Sequence, residues 1–136
     1  MTSMHRQQSV IDACNAVIAE MRDLAPSLVF ASVITEDGFE VTHLGGSFDS
    51  GRLASMTSSV QALGDAVARE LVMGQSGYVV IAGESGHMLQ LRVTGQSLIL
   101  AALFDNHELL GKALATSRRG VQRLSELLNS PHNPNQ

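Results

Sequence analysis

The sequence predicts an α+β domain: a five-stranded antiparallel sheet flanked by helices on both faces, in the order αββαβββα. Three observations predict it. The stretch Arg52 to Gly74, RLASMTSSVQALGDAVARELVMG, repeats apolar residues at steps of three and four, as a helix does, and divides two short strand patterns from three later ones. Three of those strand patterns, Leu28 to Ile34, Tyr78 to Ala82 and Leu98 to Phe104, have no polar face and therefore need cover on both sides. Asp37-Gly38, Ser85-Gly86 and Gly95-Gln96 are turn signals between strand patterns, which makes hairpins of them.

In chain order, a polar lead-in over residues 1–5 is expected to be disordered, and the domain proper to span 6–128. A first helix running to Leu24 places Val10, Cys14, Val17, Met21 and Leu24 on one face, and Ala25-Pro26 stops it. After the first strand, Glu36-Asp37-Gly38 turns the chain into an alternating strand from Phe39 to Leu44. Asp49, Ser50 and Gly51 supply the cap and turn before the central helix, and Gly74 its stop. Within that helix the stripe Leu53, Met56, Val60, Leu63, Val67 and Leu71 reads as core. Ser55, Ser59, Ala62 and Ala66 form a second face with no large side chain, which is either a partly exposed face or one that a partner helix approaches closely. The strand His87 to Thr94 is expected to point Leu89, Leu91 and Val93 inward and Met88, Gln90, Arg92 and Thr94 outward. Asp105, answered by Glu108, is expected to cap a last helix with Leu110, Leu114, Val121, Leu124 and Leu128 on its core face. Residues 129–136, NSPHNPNQ, read as a disordered polar tail.

At 136 residues the chain has the size of one domain. Its net charge of −4 opposes non-specific binding to nucleic acid or anionic membrane, both of which need positive charge. No apolar run approaches the roughly 20 residues that cross a bilayer, so no membrane insertion is expected. One cysteine, Cys14, excludes an intramolecular disulfide and a thiolate metal cluster, and fits a reducing, cytoplasmic setting. On its helical face it reads as a small buried hydrophobe.

Chemistry finds little purchase. Gly74-Gln75-Ser76, Gly83-Glu84-Ser85 and Gly95-Gln96-Ser97 never complete Gly-x-Ser-x-Gly, and none lies between a strand and a helix as a nucleophile elbow does. His5, His43, His87, His107 and His132 show no metal-binding spacing. Lys112 is the only lysine and follows no phosphate-loop glycines. With Arg118, Arg119 and Arg123 it reads as the solvated face of the last helix, the alternative being a docking patch for an acidic partner. No catalytic residue, cofactor or metal is expected, and the chain is not expected to be an enzyme.

Taken in series, these features resemble the Roadblock (dynein light chain) family from Val10 to Leu128. The resemblance is carried by a helix ending at Leu24-Ala25-Pro26, the turn in Ile34-Thr35-Glu36-Asp37-Gly38, the middle helix LASMTSSVQALGDAVARELVMG, the hairpin VVIAGESGHMLQLRV and the strand LILAALF. The family's Asn-Leu-Gly step before the last helix is replaced by Leu109-Leu110-Gly111. The resemblance implies a Roadblock/profilin-like fold and a homodimer with antiparallel middle helices and sheets joined edge to edge. It also implies a non-enzymatic regulator or scaffold of a small Ras-like GTPase, as in bacterial and archaeal relatives, some of which promote GTP hydrolysis through the paired middle helices, or a motor-complex scaffold as in eukaryotic ones. The chain is read as a small single-domain member of bacterial type. On this reading Ser55, Ser59, Ala62 and Ala66 meet the second copy, Ala62→Arg yields a monomer or a misfolded chain, and the outward polar residues Ser58, Gln61, Asp65 and Arg69 contact the GTPase. The alternative is a small-molecule sensor, which needs an apolar pocket with convergent polar groups.

Overall fold

A computed structural model describes residues 4–129 of the chain. Helix α1 (Gln8–Leu24) is followed by β1 (Leu28–Thr35), β2 (Glu40–Gly45), α2 (Ser50–Glu70), β3 (Val79–Gly83), β4 (Gly86–Arg92), β5 (Leu98–Asp105) and α3 (Leu110–Leu128). The strands form one antiparallel sheet in the order β2-β1-β5-β4-β3, so β5 is central and β2 and β3 are its edges. The predicted element order and architecture are those observed.

Alternation along the strands divides the sheet into two faces. Leu89, Leu91, Leu98, Leu100, Ala102 and Phe104 join Val10, Cys14, Val17, Ile18 and Met21 of α1 and Leu124 of α3 in the main core. Ile34 and Ile99 point the other way and meet Ala54 of α2 in a much smaller cluster. Helices α1 and α3 thus cover one face and α2 the other. Cys14 is fully buried, and burial pushes its thiol up to about 12, so it is the inert core residue expected.

Several local expectations are corrected. The β1–β2 connection is longer than a two-residue hairpin: it takes positive φ at Gly38 and closes on Thr35 and Phe39 through a 2.8 Å backbone bond. Such a glycine-ended turn is the longer hairpin connection. Helix α2 starts where Asp49 Oδ1 accepts from the Arg52 amide at 3.0 Å, but it stops at Glu70, before Gly74, with Val72 in the left-handed region. Helix α3 begins at Leu110 without a side-chain cap. Asp105 instead accepts from the His107 amide, and Glu108 turns away to receive the Ser27 hydroxyl at 2.5 Å. Strand β3, expected to be covered on both sides, is an edge strand whose second half is exposed. Of the expected lead-in, Met4–Arg6 forms a 3₁₀ turn and His5 stacks on Phe39 at 5.0 Å. Asn129, assigned to the tail, ends α3 and donates to the Thr94 carbonyl at 2.8 Å. Residues 1–3 and 130–136 of those two expected segments lie outside the described residues.

Candidate interaction face

The largest correction concerns which side of α2 meets the sheet. Its buried residues are Ala54, Thr57, Gln61 and Ala68, not the large apolar stripe. Small residues bring the helix axis close: a Cβ on Gly64 would already lie 3.3 Å from Val79 Cγ2. Beneath the helix, Gln90, expected to point to solvent, is fully buried. It donates to the Thr57 carbonyl and to Gln61 Oε1, each at 3.1 Å, which requires polar partners on α2 directly above it.

The polar contact continues toward the C-terminal end of α2. Gln61 Nε2 reaches Ser76 Oγ at 3.3 Å and Asp65 Oδ1 at 3.4 Å, and the Ser76 hydroxyl donates to Asp65 at 2.9 Å. Arg92 grips both oxygens of Asp65, with Nη1 at 2.9 Å from Oδ1, and its Nε lies 3.5 Å from Glu36 Oε2. Ser58 Oγ donates to the Glu36 carbonyl at 2.6 Å. Ser58, Gln61 and Asp65, expected to face outward, are therefore turned to the sheet and engaged there. Arg69 alone of those four is exposed. Steps of four from Thr57 through Gln61 to Asp65, with Gln90 and Arg92 two apart on β4, were the available signal for this network. A polar helix face over a polar strand face is easily taken for two solvated surfaces.

Asp65 is held at about 2, chiefly by the hydrogen bond from Arg92 and against the opposing effect of burial, with Ser76, the Arg92 charge and Gln61 adding to it. A carboxylate lowered from 3.8 by folding adds stability that is fully present above that value and is lost as pH falls toward about 2. Asp65→Asn is accordingly expected to cost about 1–2 kcal/mol at neutral pH, given partial solvent access, and to flatten the loss of stability on acidification. Urea unfolding of both chains at neutral pH and near pH 3 reads both effects. An unchanged acid slope in the variant would show that the bridge contributes nothing to folding.

With small and polar residues spent on the sheet, the large ones face out. Met56, Leu63, Val67 and Leu71 are 52, 66, 47 and 63% exposed, and Val72 and Met73 continue the run. Tyr78 and Ile81 of the adjoining edge are also exposed, and a groove of about 430 Å³ between α2 and β3 is lined by Val60, Leu63, Val67, Met73, Tyr78 and Val79. Ser55, Ser59, Ala62 and Ala66 are exposed on the opposite flank of α2.

A polar groove of about 730 Å³ beyond the network is lined by Glu36, Asp65, Arg69, Ser76, Arg92 and Gln96 among others. Arg92 is committed to the two carboxylates there, and among the described residues lining the groove no histidine is present to activate Ser76. Among the described residues no group of three His, Cys, Asp or Glu side chains is placed to hold a metal, and no helix is long and apolar enough to cross a membrane.

No family model matches the chain, and no curated protein sequence does. Solved structures do. The chain is similar to MglB of Myxococcus xanthus, with a TM-score of 0.81 at 18% identity over 90% of this chain and 92% of that one. It is similar to the gliding protein MglB of Thermus thermophilus, with a TM-score of 0.79 at 20% identity over 90% and 93%. A Roadblock/LC7 domain from Streptomyces avermitilis superposes with a TM-score of 0.76 at 17% identity, over 85% of this chain and 97% of that one. The chain has the Roadblock fold. Among the described residues of this chain, eight of the fourteen exposed large apolar ones gather in one tract, on the outer side and end of α2 and the β3 edge beside it; Leu24, Phe39, Phe48, Leu109, Leu110 and Leu127 are exposed elsewhere.

Proposed function

We propose that the protein is a non-enzymatic homodimer that regulates or scaffolds a small Ras-like GTPase. The observation that carries the reading is the apolar tract on α2 and β3. Eight large side chains there, Met56, Leu63, Val67, Leu71, Val72, Met73, Tyr78 and Ile81, are between 41 and 89% exposed. At about 100 Å² each they offer roughly 800 Å², the amount each partner contributes to a standard interface. An isolated chain gains nothing from exposing them in water. A two-fold pairing buries the same patch on both copies, with α2 against α2 and the free β3 edges hydrogen-bonded.

In that dimer the flank bearing Ser55, Ser59, Ala62 and Ala66 remains outside with Arg69, and this is the surface offered to the GTPase. Arg92 is not available as an inserted arginine, because Asp65 and Glu36 hold it. Any acceleration of hydrolysis then works by ordering the partner's own switch segments. The likeness to MglB and to Roadblock/LC7 domains supports the reading at the level of fold. The sensor alternative draws no support from the apolar cavity beside Phe48, whose volume of about 210 Å³ falls below the 300–1,000 Å³ usual for ligand sites.

The test is affinity capture from extract of the native cell with GDP and, in parallel, a non-hydrolysable GTP analogue. A Ras-like GTPase retained mainly with the analogue is the expected result. Absence of any GTPase under both conditions, with the bait a folded dimer, would remove the proposed partner.

A further inference from the structure

Two features of the α2 side of the sheet have no role within one chain. The first is an apolar pocket of about 210 Å³ between the N-terminal half of α2 and the sheet, lined by Phe30, Phe48, Leu53, Met88 and Leu103, with Phe48 set edge-on to Phe30. Among the described residues that line it, Ser32 and Thr57 carry the only hydroxyls and none is charged. The second is Leu71-Val72-Met73, where three large apolar residues project from the end of α2 and Val72 is 89% exposed. Val72 has φ of 54°, a conformation that β-branched residues rarely adopt, and it is the one non-glycine residue with positive φ among the described residues.

We infer that in the homodimer the Leu71–Met73 segment of each copy seats in the Phe30–Phe48 pocket of the other. The inference rests on the dimer proposed above and specifies what locks it. Two separate geometric arguments bring knob and hole together. Along the helix, Leu63 is the most exposed large apolar residue of α2 and marks the centre of an antiparallel pair. Leu71 lies about 12 Å beyond it and Leu53 about 15 Å before it, at about 1.5 Å of rise per residue, so the two come level across the pair. Across the sheet, antiparallel pairing of the β3 edges sets the Val79 end of one strand against the Gly83 end of the other. Helix α2 leaves its own sheet over Val79, so the residues past its end lie over the partner's sheet toward that Gly83 end. There Ile81, Met88, Leu103 and Phe30 are successive cross-strand neighbours, an apolar row that leads from the seam into the pocket.

Disulfide exchange between singly substituted chains tests this, since Cys14 is buried and unreactive. Val72→Cys chains are mixed with Phe48→Cys chains and oxidised, beside a mixture with Glu126→Cys, which lies on α3 and is exposed. The Val72/Phe48 pair is expected to cross-link at least ten-fold faster than the control, and Val72→Asp to weaken dimerisation at least ten-fold. Leu63→Cys reports the central seam by cross-linking to itself. If it does so while Val72/Phe48 is no faster than the control, the dimer stands and the seating of the segment is overturned. If the unsubstituted chain has the mass of a monomer, the dimer itself fails and takes this inference with it.

Discussion

Leu63→Arg is expected to give a folded monomer by light scattering, whereas Ala62→Arg on the neighbouring position keeps the dimer. Leu63 is 66% exposed on the tract that includes Val67 and Met56, so arginine there costs the single chain little. At the centre of a two-fold seam the same substitution places two guanidinium groups against each other in an apolar contact. Unpaired charge in such a setting costs several kcal/mol, and a loss of about 3 kcal/mol lowers affinity more than about 100-fold. Ala62 stands about 100° further round the helix, on the flank with Ser59 and Ala66. Arginine there stays in water and is expected to weaken GTPase capture instead. The opposite pattern, with Ala62→Arg monomeric and Leu63→Arg dimeric, would return the interface to the small-residue face.

How α2 is oriented decides what the sequence could reveal of this site. Element order and the hairpin pairings were legible because Asp37-Gly38, Gly86 and Gly95 punctuate strands whose residues are apolar or cleanly alternating, whereas the β1–β5 pairing that joins the two halves carried no such signal. The residues that meet the sheet were not. Periodicity places Leu63 and Val67 on one stripe, and a rule that large residues face inward then assigns that stripe to the core. The rule fails where a helix approaches a sheet through Ala54, Gly64 and Ala68 and satisfies a buried amide at Gln90 through Gln61. Exposed β3 misled in the same direction, since Tyr78 to Ala82 is apolar enough for a central strand yet stands at the edge. In both places apolar residues that an isolated chain would bury are left outside, which is what surface reserved for another protein looks like in a sequence. The Asp65–Arg92 bridge was hidden for a different reason: its members are 27 residues apart and only the sheet brings them together.

Gly86→Ala is expected to destabilise the chain by about 3 kcal/mol and to weaken the dimer as well. Gly86 pairs with Gly83 across the β3–β4 turn and with Asp105 of β5. A Cβ there would fall well inside contact distance of the Phe104 carbonyl oxygen, and within 3.5 Å of Asp105 Cα. Both obstacles are backbone atoms of the central strand, which β1 and β4 hold from either side, so β5 cannot yield. The β3–β4 hairpin must move instead, and β3 is the edge proposed to pair with the second copy. Gly111→Ala is the matched control: nothing lies within 4 Å of its added methyl, and its place in the first turn of α3 favours alanine by up to about 1 kcal/mol. The proposed dimer would add a concentration-dependent term to any unfolding measurement, so both substitutions belong in the Leu63→Arg background, with urea midpoints compared there. The effect on association is then read from Gly86→Ala in the parent chain by sedimentation. A Gly86→Ala midpoint equal to that of Gly111→Ala would mean that the hairpin is free to shift, and a β3 edge that shifts freely could not fix the register of a dimer.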